Sequence, residues 1–399
     1  MSWQMVKLKD CCKVIGGATP KRNIDEYWNS PDVPWVTPKD VSNLFGTVLE
    51  DAPEYISAEG FKSCATYMLP KGSILVTSRA PIGNIAIAGR DMCTNQGFKS
   101  LIPQDGVDGI YLYYCMLAYS EKLQALGNGA TFKEVSKKIV EDFEIPLPYP
   151  EDPEKSLKEQ KRIAAILDKA DAIRRKRQQA IQLADEFLRA VFLDMFGDPV
   201  TNPKGFPSSK LGDLCEDLFL GLTSKVDYIE GTNGFPLVRA KDINTGELSF
   251  DDARYISEEQ HKKLTKNHLT RKGDLLVSKS GTLGTCAIVR TDREFSTYES
   301  IFTVRPDRSK LDLYYLIHLL QNKGFKEKLI GNKVGGTVSH LNLKMFRDFE
   351  VGVPPLNLQE SFSTAILKCE AKLEKYRNSG SESKQLFNSL SQKAFSGRL

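Results

Sequence analysis

Seventeen polar or charged residues fall at similar places in the two halves of this chain of 399 residues. In the first half they are Thr37, Lys39, Ser78, Arg79, Asn95, Gln96, Lys99, Thr131 and Lys133, each at or beside the end of an apolar run. In the second they are Arg239, Lys241, Ser278, Lys279, Ser280, Tyr298, Lys333 and Thr337, with Glu299 alongside. Arg, Asn and Gln offer the paired hydrogen bonds that read guanine and adenine edges in a major groove. Ser, Thr and Lys reach phosphates, contacts that position a protein without telling one sequence from another. Taken singly, each of these residues is equally well read as an exposed polar loop residue. Their recurrence in both halves points to a shared binding role.

A catalytic constellation is missing from the same stretches. The chain has no Gly-x-x-x-x-Gly-Lys-Ser/Thr phosphate loop and no Gly-x-Ser-x-Gly elbow. Gly127-Asn128-Gly129 and Gly281-Thr282-Leu283-Gly284 read as turns, as does Asn202-Pro203-Lys204-Gly205, which is not the Asn-Pro-Pro-Tyr/Phe of an amino-methyltransferase. The four histidines, His261, His268, His318 and His340, all lie in the second half, so the two halves share no His-based mechanism. His261 and His268 read as exposed helix or loop residues. None of the eight cysteines has Cys-x-x-Cys spacing, which points to reduced thiols in a cytosol and argues against zinc.

The elements that would position these loops are repeated. Val6-Lys7-Leu8-Lys9-Asp10-Cys11 returns as Lys210-Leu211-Gly212-Asp213-Leu214-Cys215. Tyr55-Ile56-Ser57 returns as Tyr255-Ile256-Ser257, and Lys71-Gly72-Ser73-Ile74-Leu75-Val76 as Lys272-Gly273-Asp274-Leu275-Leu276-Val277. Counterparts stay near two hundred residues apart throughout. Each copy is a short-strand domain of mixed α and β followed by a long helix.

Steps of three and four from Glu159 to Met195 give Ile163, Ile166, Ala170, Ile173, Arg177, Ala180, Ala184, Phe187 and Val191, the pattern of a coiled-coil seam. Gly197-Asp198-Pro199 ends it. A second seam runs through Phe362, Ile366, Cys369, Leu373 and Tyr376, then Phe387, Leu390 and Ala394. Asn378 to Ser383 between them reads as a weak point, because Gly and Ser are poor helix formers. Partner helices joined through a whole domain can lie antiparallel.

A formal charge of +4 permits an acidic partner without demanding one. Between Lys155 and Arg177, nine Lys or Arg face three Asp or Glu, the mark of either a solvated face or a phosphate- or partner-facing one. The first residues lack a signal-peptide core, and the longest apolar run, Tyr111 to Tyr119, falls well short of the roughly 20 residues that span a bilayer. A cytoplasmic protein with no membrane partner is the expectation.

Several motifs together resemble the specificity (S) subunit of type I restriction-modification systems. They are Val33-Pro34-Trp35-Val36-Thr37-Pro38-Lys39-Asp40, Leu75-Val76-Thr77-Ser78-Arg79-Ala80-Pro81-Ile82-Gly83, Thr94-Asn95-Gln96-Gly97-Phe98-Lys99, Gly129-Ala130-Thr131-Phe132-Lys133 and Glu159-Gln160-Lys161-Arg162-Ile163-Ala164. The terminal Gln392 to Leu399 belongs with them. The resemblance implies an α+β chain with two target-recognition domains, at 1–150 and 200–356, and two conserved antiparallel coiled-coil helices, at 151–199 and 357–399.

It further implies that each domain reads half of an interrupted double-stranded DNA target, and that the helices set the gap. Two methylation (M) subunits and restriction (R) motor subunits would join, bringing S-adenosylmethionine, ATP and magnesium chemistry with them. This subunit would hold no cofactor, no metal and no catalytic centre. The second half departs from the pattern at Tyr298-Glu299-Ser300 and where Gln359-Glu360 stands for Glu159-Gln160. The alternative is a helical scaffold for protein partners that reads no DNA.

Overall fold

The computed structural model describes residues 3–128, 133–221, 226–243, 246–279, 284–330 and 342–399, apart from the side chains of 330, 374–382 and 384. The chain divides into two compact units: Met1–Ala180 with Tyr376–Leu399, and Ile181–Lys375.

The first unit's strands are β1 (Gln4–Lys7), β2 (Cys12–Gly16), β3 (Val33–Val36), β4 (Val48–Leu49), β5 (Glu54–Ile56), β6 (Ile74–Val76), β7 (Ile85–Ala88), β8 (Cys93–Thr94), β9 (Lys99–Pro103) and β10 (Glu144–Leu147). They form sheets ordered β2-β9-β6-β7-β4, β5-β3-β8 and β1-β10. The second unit's are β11 (Ser208–Lys210), β12 (Cys215–Leu220), β13 (Phe235–Val238), β14 (Arg254–Ile256), β15 (Leu275–Ser278), β16 (Cys286–Ile288), β17 (Ser296–Thr297), β18 (Ile301–Pro306) and β19 (Glu350–Gly352). Their sheets run β12-β18-β15-β16, β14-β13-β17 and β11-β19.

The two units therefore share one strand order, except that among the described residues β4 has no counterpart in the second unit. In each three-stranded sheet the central strand pairs antiparallel with one neighbour and parallel with the other. The central strands of the large sheets carry unbroken apolar runs because both of their faces are covered. Ile74 and Val76 enter one core and Leu75 another. Leu275 and Val277 likewise enter one core and Leu276 another. Successive side chains on a strand point to opposite faces, which accounts for the split.

The longer helices are α1 (Gly109–Ala118), α2 (Pro153–Phe196), α3 (Leu313–Gln321) and α4 (Leu356–Phe395). α1 and α3 start alike, with Asp108 and Asp312 as N-caps accepting from Tyr111 N and Tyr315 N. Behind each cap lies a fully buried glutamine. Gln160 accepts from Asp108 N at 2.9 Å and donates to Gly106 O at 2.9 Å and Ser156 Oγ at 3.0 Å. Gln359 accepts from Asp312 N at 2.8 Å and donates to Pro354 O at 2.8 Å and Lys310 O at 3.1 Å. The Gln359-Glu360 departure in the sequence is thus a one-residue offset: Gln160 and Gln359 do the same job.

α2 and α4 contribute to both units. In the first, Arg162 donates to Leu399 O at 2.9 Å, and the Arg174 guanidinium lies 5.4 Å from the Phe387 ring. Going forward on α2 from Arg162 to Arg174 thus goes back from Leu399, just past α4, to Phe387 within it, so the two run antiparallel there. In the second unit the end of α2 meets the start of α4, with Phe192 and Phe196 at 5.6 and 5.3 Å from Phe362. Asn378 to Ser383, expected as a weak point, is helical throughout.

The seam on α2 lies one residue on from the sequence reading. Ile163 is buried, but the inner stripe then runs through Leu167, Asp171, Leu188, Phe192 and Phe196, leaving Ile166 and Val191 at its edge. Ile173 and Phe187 are 51% and 60% exposed. Asp171 lies in that stripe, buried and paired with Arg174 at 2.6 Å and Arg175 at 3.0 Å on the same helix. On α4, Phe362, Ile366, Leu373, Phe387 and Ala394 are buried, Cys369 and Leu390 half-buried, and the Tyr376 side chain lies outside the described residues. His318 of α3 lies 5.1 Å from the Phe362 ring; burial, then the Arg189 charge, pushes its pKa down to about 4.

Candidate nucleic-acid interface

Three strand ends meet in the first unit. Asn95 N, just past β8, donates to Val36 O at the end of β3 at 3.0 Å, and Ser78 N, past β6, donates to Gly97 O at 2.7 Å. Thr37 caps the short helix Pro38–Ser42: its N and Oγ1 donate to Asp40 Oδ2 at 2.7 and 2.8 Å, and Lys39 stands exposed on the first turn. Asn95 Oδ1 accepts from Gly97 N at 2.8 Å, closing the loop, and exposed Gln96 bonds Thr19. The end of β2 presses on this loop so closely that a Cβ on Gly17 would lie 2.2 Å from the carbonyl oxygens of Thr94 and Asn95.

Beside it Ser78, Arg79 and Lys99 gather around Glu134, with Lys133 exposed next to it. Ser78 is buried and Lys99 half-buried, so Arg79 is the exposed member of that trio. Seven of the first half's candidates thus surround one set of strand ends, and Lys133 borders them. Thr131 lies outside the described residues.

The second unit repeats the frame with other side chains. Tyr298 N donates to Val238 O at 2.9 Å and Lys279 N to Ser300 O at 2.8 Å. Gly221 fills the place of Gly17: a Cβ there would lie 2.3 Å from Tyr298 O. Arg239 takes the capping position of Thr37, its N donating to Asp242 Oδ2 at 2.8 Å and its guanidinium to Asp252 O at 3.0 Å. Lys241 Nζ donates to the same carbonyl at 3.1 Å. Ser278 is buried at the end of β15. Ser280, Lys333 and Thr337 lie outside the described residues. Equivalent backbone thus carries Thr37 or Arg239, Ser78 or Lys279, Asn95 or Tyr298.

His261, expected to be exposed, is buried. Ser257 caps the helix Glu258–Thr265, and His261 on its inner face stacks on Phe235 at 3.9 Å, with Nδ1 2.9 Å from Ser296 Oγ. His268 is exposed, stacks on Phe219 at 4.8 Å, and lies 3.1 Å from Asp217. Among the described residues, no group of three or more His, Cys, Asp or Glu could hold a metal ion, and no helix is long and apolar enough to cross a membrane.

The family model of the type I restriction modification DNA specificity domain matches residues 1–183 and 203–379. The chain belongs to that family. The two matched stretches of the specificity domain cover the two copies of the loop frame. A specificity subunit of a type I restriction enzyme from Methanocaldococcus jannaschii, MjaIX, is 31% identical over 384 residues, spanning 91% of this chain and 86% of the relative. A second from that organism, MjaVIII, is 21% identical over 93% of this chain and 87% of its own length. The crystal structure of an S subunit from M. genitalium shares the fold at a TM-score of 0.60 and 16% identity, covering 99% of this chain and 96% of that one.

Two features of this specificity-domain chain escaped sequence reading. Glu134 is an acid among bases and no motif announces it. The sequence sets Glu159-Gln160 against Gln359-Glu360, but only the matching bonds from Asp108 N and Asp312 N show that Gln160 answers Gln359.

Proposed function

We propose that the chain is the DNA-reading subunit of a type I restriction-modification complex. Each unit reads one half of an interrupted double-stranded target, and the lengths of α2 and α4 set the unread gap. Methylation subunits and restriction motor subunits assemble on it; they, and not this chain, would use S-adenosylmethionine, ATP and magnesium. The reading is carried by one observation: a single loop frame occurs twice, with different side chains at equivalent points. A constant frame with exchanged side chains is the arrangement needed to read two different half-sites.

Phosphate contacts from Lys39, Lys133 and Lys241 would hold the duplex, and Arg79, Gln96 and Asn95 would meet base edges, as would Arg239 on leaving Asp252 O. Leu183 and Phe187, one turn apart on α2, are exposed apolar residues of the sort that mark protein–protein surfaces, which supports partner subunits on the helices.

The test is competition binding of the complex with its methylation subunit against a pool of duplexes. One interrupted sequence should be retained, with affinity falling steeply with salt as counterions are released. Equal binding of all duplexes would overturn the reading. Adding one heptad to both helices should change the preferred gap.

A further inference from the structure

Arg79 is held by one nitrogen. Its Nε donates to Glu134 Oε2 at 3.0 Å, and among the described residues Nη1 and Nη2 have no protein partner. The backbone that carries Glu134 is pinned. Its N donates to Asn128 O at 3.0 Å, its carbonyl accepts from Asn128 N at 3.1 Å, and Val135 N donates to Ser78 O at 2.9 Å. The other carboxylate oxygen lies 3.5 Å from Lys99 Nζ, which also reaches Ser78 Oγ at 3.3 Å. The Lys99 side chain is 13% exposed and that of Arg79 is 47% exposed. From inside outward the order is a shielded cation, a fixed carboxylate and an exposed cation.

An unrestrained surface arginine loses rotamer freedom on meeting a partner, a cost that falls when the side chain is already ordered. With Nε engaged, Arg79 presents the Nη1–Nη2 fork, whose two donors match guanine O6 and N7. The carboxylate also cancels one of two adjacent positive charges, which weakens the pull on phosphate and leaves base geometry to decide. We propose that Glu134 is a positioning residue for sequence reading: it aims Arg79 at a guanine in the half-site read by the first unit. This rests on the DNA-reading function proposed above.

The experiment is selection from a randomised duplex pool by the full chain with its methylation subunit, comparing the unsubstituted protein with Glu134→Gln, Glu134→Asp and Arg79→Lys. The unsubstituted protein should require a G·C pair in one half-site. Glu134→Gln should weaken that preference about ten-fold or more, the scale of one bidentate pair. It should leave the other half-site untouched and non-specific affinity equal or higher. Glu134→Asp should retain most of the preference. Arg79→Lys, which keeps the charge but loses the fork, should lose it, and supplies the answer if Glu134→Gln fails a thermal-unfolding check. A guanine preference that survives both Glu134→Gln and Arg79→Lys overturns the proposal, as does an unsubstituted half-site with no Arg79-dependent guanine. If the unsubstituted protein shows no sequence preference, the DNA-reading function falls first, and this inference with it.

Discussion

Replacing Gln160 with Ala should destabilise the first unit while leaving the second intact. The side chain satisfies Asp108 N and Gly106 O, both part-buried, and bonds Ser156 inside the fold. Removing it leaves two peptide groups short of a partner, at about 1–2 kcal/mol each where water enters only partly. The expected loss is therefore about 2–4 kcal/mol, or about 4–16 °C in the melting of a unit of this size. Gln359→Ala should do the same to the second unit through Asp312 N, Lys310 O and Pro354 O. Hydrogen exchange read by mass spectrometry on both variants assigns the loss to a unit. Because the two glutamines lie in different units, the double variant should lose close to the sum of the single losses. A melting shift below about 2 °C for Gln160→Ala, or equal loss of protection in both units from one substitution, would refute the latch.

Other outcomes follow from the same structure. Phe187→Ser should change stability by less than about 0.5 kcal/mol, whereas Phe192→Ala should cost about 3–5 kcal/mol in denaturant unfolding; equal costs would restore the seam expected from sequence. Gly17→Ala should lower stability by about 1–3 kcal/mol, because its Cβ has no room against Thr94 O and Asn95 O. His318 gives a pH effect: its folded value near 4 lies below the ordinary 6.5, so the unfolded chain takes up the proton first. Stability should fall as pH drops through that window, by roughly 3 kcal/mol in all, and level off below it. Equilibrium unfolding across the window should show the slope, and His318→Phe should flatten it.

The repeat was legible because covered strands write unbroken apolar runs, and Leu75 and Leu276 sit in runs that match. The loop positions were legible for the same reason, since they are the polar ends of those runs. The seam of α2 was not. Ile166-Leu167, Phe187-Leu188 and Val191-Phe192 offer an apolar residue in either of two registers, so hydrophobic spacing cannot choose. The register is set by what each unit's core takes in: Leu167 joins Tyr111 and Phe387 in the first, Leu188, Phe192 and Phe196 join Tyr315 and Phe362 in the second, and Asp171 turns inward with them, paired with Arg174 and Arg175. A buried ion pair is invisible to a count of apolar residues, though removing one partner is costly. His261 was misread for a related reason: a helix of mostly charged residues hides which single residue faces the sheet. Glu134 was illegible because its meaning lies in Arg79 and Lys99, which the chain brings to it from 55 and 35 residues away.

Phe387, Leu390, Ala394 and Phe395 pack with Tyr111, Ile163 and Leu167, so the last turns of α4 complete a core whose other buried residues lie more than two hundred positions earlier. A ribosome adding about 5–20 residues per second needs on the order of 10–40 s to pass from Ala180 to Tyr376. For that interval the nascent first unit lacks the part of its core that Phe387, Leu390, Ala394 and Phe395 supply. Its maturation is tied to the synthesis of the segment Tyr376–Leu399, and a frameshift ahead of that segment would injure a part of the molecule made some two hundred residues earlier.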